Sequence, residues 1–195
     1  MGKKVRKVPY RLEPLKETNL SPDEIRAILR GADDLIDSGG RSMLAKILKG
    51  SLDKKLLEMK LNENPAYGYY RDLTLAEITS RIDRVIIDGY LEITYNYRLP
   101  VLLYTDAGWE IEKETYAEEL LHKLWDLLPQ GDYSFVEELK DRNRQMILLL
   151  LEKIEATGDR RFIPLLEAWA DIEYKKVRTA INRVIAALRQ KSAKT

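Results

Sequence analysis

The hydrophobic period of this chain changes at Gly89-Tyr90, and that change constrains the fold more than any other feature. Upstream, apolar residues recur at helical spacing behind two capping boxes, Ser21-Pro22-Asp23-Glu24 and Thr74-Leu75-Ala76-Glu77. A Ser or Thr there accepts from the amide three residues on, and the Glu reaches back; Pro22 loses nothing at a first helical position. Downstream, Leu91, Ile93 and Tyr95 alternate with polar residues, Pro100 to Tyr104 forms a second apolar arm, and the turn lies near Asn96-Tyr97-Arg98. Period two is the signature of a half-buried strand, so Tyr90 to Thr105 reads as a hairpin. Pro100 must stand where no ladder donor is needed, as on an edge.

Between these signals the elements are predicted in order. The first helix begins at Ser21, carries Ile25, Ile28, Leu29, Leu35 and Ile36 on one face, and stops at Gly39-Gly40. The second, about Ser42 to Lys49, buries Met43, Leu44, Ile47 and Leu48 and turns Arg41, Lys46 and Lys49 outward. A short helix at Asp53 to Met59 precedes the Thr74-capped helix, which buries Ile78, Ile82, Val85 and Ile86 and ends at Gly89. Helix, basic turn, helix, two-stranded wing is the order of a winged-helix module, a fold that seats on nucleic acid by phosphate contacts from helix ends and basic side chains. Thr105 to Leu128 is predicted as a long acidic helix ended by Pro129. Gln130-Gly131-Asp132 marks a boundary, a capped helix follows from Ser134 to Thr157, and two more helices run about Arg161 to Ala170 and Tyr174 to Gln190. The expected fold is mostly α with a small β-wing: a basic arm at 1–19, read as mobile; a winged-helix domain at 20–129; and an all-α segment at 130–195 with a basic tail.

Charge matters here through its distribution. The net value over 195 residues is +1. Yet residues 1–16 hold six basic groups against Glu13, a local +5, and residues 41–60 hold six against Asp53 and Glu58, a local +4. Residues 109–141 hold ten acidic groups against three lysines, a local −7, and residues 174–195 have seven basic groups and no acidic one. Segregation of this kind creates local fields that a net value conceals. The carboxylates of Glu110 to Glu119 lack histidine partners and spread round their helix, so they read as solvated surface or as a shield that mimics DNA charge. Met146 to Leu151 covers every face of a helix and reads as a central buried element.

Several classes of function are excluded or disfavoured. There is no cysteine, and His122 is the only histidine, so disulfides and thiolate metal sites are out and an imidazole-rich site has no ligands. The N-terminus lacks the apolar core of a signal peptide, and the longest apolar run falls far short of the roughly 20 residues of a membrane span. A cytoplasmic, nucleoid-associated protein without catalytic residues, cofactor, metal or membrane partner is the expectation.

From about Gly39 to Trp109 the sequence resembles the RQC domain, the winged helix on the C-terminal side of RecQ-type DNA helicases. The resemblance lies in Gly40-Arg41, Ile47-Leu48-Lys49-Gly50-Ser51, Lys54-Lys55, Tyr67-Gly68 with Arg71-Asp72, Ile82 and Ile86 with Gly89-Tyr90-Leu91, and Thr105 with Gly108. It is similar to small bacterial proteins that carry this domain without a helicase. No Gly-Lys-Thr/Ser phosphate loop is present, nor the Cys-ligated zinc module that precedes the domain in RecQ proteins, so no ATP-driven motor is expected. The resemblance implies phosphate contacts at the end of the second helix and the turn after it, from Ser51, Lys54 and Lys55, with Arg41 and Ser42 at the helix start. Lys46, Lys49 and Arg71 belong to the same basic surface. By the same resemblance a wing-tip aromatic wedges the terminal base pair, and the tip offers Tyr95, Tyr97 and Arg98. Tyr67, Tyr69 and Tyr70 read as closing over a core, with base stacking the competing role. Residues 158–190 separately resemble one HEAT-type helical repeat through Gly158-Asp159, Ile163-Pro164-Leu165-Leu166, Val177-Arg178 and Ala180.

The function expected is therefore non-enzymatic binding of duplex or branched DNA through its backbone, at ends, forks or junctions, in repair, recombination or replication. One alternative is a protein–protein adaptor that grips a helicase or another protein through the C-terminal helices. The other is a transcription regulator with the helix from Leu75 to Asp88 in the major groove, where Thr79, Arg81 and Arg84 are the available readers.

Overall fold

The computed structural model describes residues 7–14 and 19–191. It divides into two compact units, 1–112 and 113–195.

In the first unit, α1 (Pro22–Ala32) starts on the expected capping box, with both reciprocal bonds between Ser21 and Glu24 made. It buries Ile28, Leu29 and Ala32. The helix does not continue through Ile36 as its apolar pattern predicts. A 3₁₀ turn at Asp33–Leu35 ends it, Ile36 is extended, and Asp37 takes a left-handed φ of 59°. The cause is tertiary: the Asp37 amide donates to the Leu102 carbonyl at 2.9 Å, and the Leu102 amide donates to Gly39 at 2.9 Å. The segment 37–39 thus joins the outer edge of the hairpin instead of extending α1.

Next, α2 (Arg41–Lys49) begins one residue earlier than expected and buries Leu44, Ala45, Ile47 and Leu48. After α3 (Lys54–Glu58), capped by Asp53, comes α4 (Leu75–Ile87), whose Thr74–Glu77 capping box is also complete. Strands β1 (Leu91–Asn96) and β2 (Leu99–Tyr104) pair antiparallel, with Asn96 opposite Leu99 and Tyr95 opposite Pro100. Leu102, an even position of β2 like Pro100, points its amide outward to Gly39. Pro100 therefore sits where the ladder asks for no donor. Ile28, Leu29, Leu35, Leu44, Ile47, Leu48, Ile78, Ile82, Leu91 and Leu102 form the core of this winged helix.

The division between units falls inside α5 (Asp106–Leu127), whose first turns pack in the first unit. A Cβ built on Gly108 would lie 1.9 Å from the Tyr90 carbonyl oxygen, so only glycine lets α5 come this close to the base of the wing. Thr105 ties the same corner by donating its hydroxyl to Gly89 at 2.6 Å. One carboxylate of the acidic helix departs from the expected solvated surface. Glu112 is fully buried and faces Arg30 at 3.5 Å. A charge so buried persists only when paired.

In the second unit the expected capped helix from Ser134 to Thr157 is two elements. Ser134–Leu139 is a 3₁₀ turn in which the Ser134 side chain caps nothing; its amide donates instead to Asp132. Lys140 is extended and Asp141 has a φ of 67°, which breaks the helix. Then α6 (Arg144–Thr157) starts afresh, with the Asn143 side chain accepting from Gln145 and Met146. The break lets Phe135, Val136 and Leu139 enter the core separately from α6. Within α6, Met146, Ile147, Leu150 and Leu151 are buried while Leu148 is 37% exposed, so the apolar run is a wide stripe rather than a fully enclosed element. Finally α7 (Ile163–Ile172) and α8 (Lys175–Lys191) form a helical hairpin, and α8 also packs on α6. Trp169 and Phe162 are its largest fully buried side chains.

Candidate nucleic-acid interface

The two unusual motifs of the first unit face each other. At the end of α2, Gly50 is left-handed at φ 73°, and the Ser51 amide donates to Lys46, six residues closing on one as in a Schellman cap. Gly68, at φ 76°, lies against it, so that a Cβ on Gly50 would stand 3.1 Å from the Gly68 Cα. Three bonds lock the approach: Gly68 amide to Ile47 carbonyl, Tyr70 amide to Leu48 carbonyl, and Tyr67 hydroxyl to Ser51 carbonyl at 3.0 Å. Leu-Lys-Gly-Ser and Tyr-Gly are thus two halves of one clasp that fixes the turn carrying the basic residues. Tyr67 and Tyr70 close over the core as read from the sequence, with Tyr70 donating to Glu24, while Tyr69 is exposed. Burial, then the Glu24 bond, pushes the Tyr70 hydroxyl far above its ordinary range.

The cations near that turn separate into bound and outward-facing groups. Lys46 is an internal strut, donating to Asp53 at 2.7 Å. That bond, followed by the Leu56 amide, holds the Asp53 carboxyl below its ordinary value. Lys49 donates to the Arg71 carbonyl, and the Arg71 guanidinium donates to Gly68. The Ser51 hydroxyl accepts from the Asp53 amide. Lys54, by contrast, has a side chain 90% exposed, with Glu58 no nearer than 3.6 Å. Lys55 and Lys60 are exposed as well, and Ser42 is exposed at the start of α2.

Arg41 lies elsewhere than an outward position predicts. Its guanidinium pairs with Asp83 of α4, a carboxylate with only 2% of its side chain exposed. The second oxygen of Asp83 accepts from the Glu13 amide at 2.8 Å. Residues 7–14, read from the sequence as part of a mobile arm, therefore cross this face as a strap; residues 1–6 and 15–18 of that arm lie outside the described residues. The Val8 amide donates to Arg98, the Tyr95 hydroxyl donates back to Val8 at 2.9 Å, and Lys7 stands 4.3 Å above the Tyr95 ring. Tyr10 packs near both Tyr95 and Arg41. Tyr95 thus belongs to the strap contact rather than the tip. At the tip, Tyr97 is 73% exposed and holds a left-handed φ of 56°.

Between strap, α2 and hairpin lies a groove of about 560 Å³ with Arg11, Arg41, Lys46 and Lys55 round an apolar floor that includes Met43 and Pro100. The expected readers of α4 are engaged internally. Thr79 donates to Leu75, Arg81 pairs with Glu24 at 3.5 Å, and Arg84 pairs with Asp88 at 2.8 Å. Sequence reasoning missed the strap and Asp83. No period marks residues 7–14, and a lone Asp beside Ile82 signals nothing until Arg41 is placed next to it.

The family model of the RQC domain matches residues 22–120. No curated protein matches, and no solved structure does either. No helix among the described residues is long and apolar enough to cross a membrane.

Proposed function

Because the chain belongs to the RQC family, whose winged helix is associated with DNA binding in RecQ helicases, we propose that it is a non-enzymatic protein that binds duplex DNA by its backbone and by the structure of its ends or branches. The observation that carries this reading is the division of labour among polar side chains. The cations of α4 that would read bases are tied to Glu24 and Asp88, whereas Lys54, Lys55 and the wing-tip Tyr97 project into solvent. Phosphate contacts position a protein on DNA without reading sequence, and base-edge contacts specify it. This distribution favours the first over a regulator with α4 in the major groove. Work at forks or broken ends, in repair, recombination or replication, suits such binding. The α7–α8 hairpin supports a HEAT-like reading of residues 158–190, a surface on which a protein partner would dock.

The test is a binding series on blunt, forked, single-stranded and junction DNA, each in two unrelated sequences and at several salt concentrations. Steep salt dependence, little difference between sequences and a preference for ends or branches are expected. Undetectable affinity at low salt would hand the chain to the adaptor reading, and a large difference between sequences would restore the regulator.

A further inference from the structure

The basic end of the chain forms a helix face that the winged helix does not explain. On α8 the exposed positions among the described side chains are Lys175, Lys176, Arg178, Thr179, Asn182, Arg183, Ala186, Arg189 and Gln190, which lie on one side of a helix with 3.6 residues per turn. Thr179, Asn182 and Ala186 run down the middle as a low ridge. Lys176 and Arg183 flank it on one side, Arg178 and Arg189 on the other.

Two observations set this face apart from an ordinary solvated one. Several other cations of the unit sit against carboxylates, Lys153 between Glu114 and Glu118, Arg161 on Asp159, Lys123 on Glu138 and Arg189 itself on Glu167, while Arg144 stands exposed and singly without an ion pair among the described residues. Lys175, Lys176, Arg178 and Arg183 form no ion pair among the described residues. Glu173, the neighbouring carboxylate, is buried and spent on the Trp169 indole and the Tyr174 amide. The second observation is position. Lys175, Lys176 and Arg178 occupy the first turn of α8, which has no acidic residue. The macrodipole opposes cations at that end of a helix, and clustered like charges repel. These residues are therefore placed against the interest of the fold, which points to an anionic ligand as what they serve.

We infer that this face of α8 is a second DNA-binding surface, one that grips the sugar–phosphate backbone. The inference rests on the DNA-binding reading above and assigns part of that binding to the other unit. At 1.5 Å per residue, Lys175 to Arg183 covers about 12 Å, the rise of three to four phosphates along one strand. The low ridge lets a strand approach the flanking cations without a bulky side chain in the way. Nothing on the face offers a bidentate Asn–adenine geometry held by neighbours, so contact is to the backbone whatever the sequence.

The test uses the full chain carrying Lys175→Ala, Lys176→Ala, Arg178→Ala and Arg183→Ala together, with binding to a fluorescent duplex followed over a range of salt. Each lost phosphate contact removes about 0.9 from the log–log salt slope, so a fall of three to four is expected, with weaker binding by the winged helix persisting. A companion set, Lys175→Arg, Lys176→Arg, Arg178→Lys and Arg183→Lys, should keep the parental slope, and circular dichroism should show both sets folded. An unchanged slope in the alanine set overturns this inference and leaves the winged-helix reading standing. A parent that binds no DNA at low salt overturns both, since α8 is intact there. Loss of sedimentation with phosphatidylserine vesicles while DNA binding is unchanged would assign the face to anionic membranes instead.

Discussion

At the scale of single residues, the structure distinguishes cations that serve the fold from cations left for a ligand. Lys46 braces the turn through Asp53, and Arg41 neutralises Asp83; Lys54 reaches only the exposed Glu58 of its own helix at 3.6 Å, and Lys55 has no ion pair among the described residues. Replacing Lys54 and Lys55 together by Ala should weaken binding to all duplexes alike and lower the salt slope by about two. Stability should move by no more than about 0.5 kcal/mol in a thermal melt, because both side chains are exposed. Tyr97 poses a sharper question. A tyrosine at φ 56° is strained, and strain held at an exposed tip is characteristic of functional positions. Tyr97→Gly relieves it, so the melting temperature should hold or rise by the equivalent of roughly 0.5–1 kcal/mol. Base–aromatic stacking is worth about 1–3 kcal/mol, so the preference for blunt or forked ends over internal duplex should fall several-fold in competition binding. Retained end preference with a raised melting temperature would show the ring is idle.

At the scale of elements, three joints hold the winged helix together: the Gly50–Gly68 clasp, the Gly108 approach to Tyr90, and the Asp83 node. Gly108→Ala places a methyl inside the Tyr90 carbonyl, so α5 must shift from the hairpin. The expected loss is about 3 kcal/mol or more in denaturant unfolding, at the severe end for point substitutions. The Asp83 node joins α2, α4 and the strap. Asp83→Ala leaves Arg41 without its partner in a site only 18% exposed, and should destabilise the chain by about 2–3 kcal/mol, short of a fully buried pair. Amide exchange of Glu13 should accelerate in the same variant, since its acceptor is gone. Slow exchange at Glu13 would mean that the strap holds without the node.

At the scale of the whole molecule, several carboxylates in both units titrate below their ordinary range because folding supplies donors. Asp53 is held down chiefly by Lys46, Glu77 by the Thr74 amide, and Asp159 by Arg161. A carboxylate depressed on folding adds stability that is full above its unfolded value and disappears as pH falls through the folded one. Stability should therefore be level from neutrality down to about pH 5 and decline below the ordinary values of 3.8 and 4.5. Asp53→Asn should make the decline in a melting-temperature profile shallower while lowering the plateau. A profile parallel to the parent's would remove Asp53 from that account.

The features legible along the chain are those set by near neighbours. Both capping boxes, the hairpin with its edge proline, the order of elements and the segregation of charge need only local bonding and period to be read. The clasp was visible as two motifs, though not as partners, because Gly50 and Gly68 meet only when α2 and the following turns fold back on each other. Tertiary structure alone decided the rest. The end of α1 was settled by the edge of β2, the break before α6 by the separate burial of Phe135 and Leu139, and the pairing of Arg30 with Glu112 and of Arg41 with Asp83 by contacts between elements. The physical reason is the same in each case. Helical propensity amounts to a few tenths of a kcal/mol per residue, whereas an unmet buried charge or amide costs about 1–3 kcal/mol or more, so long-range partners override the local pattern wherever the two disagree.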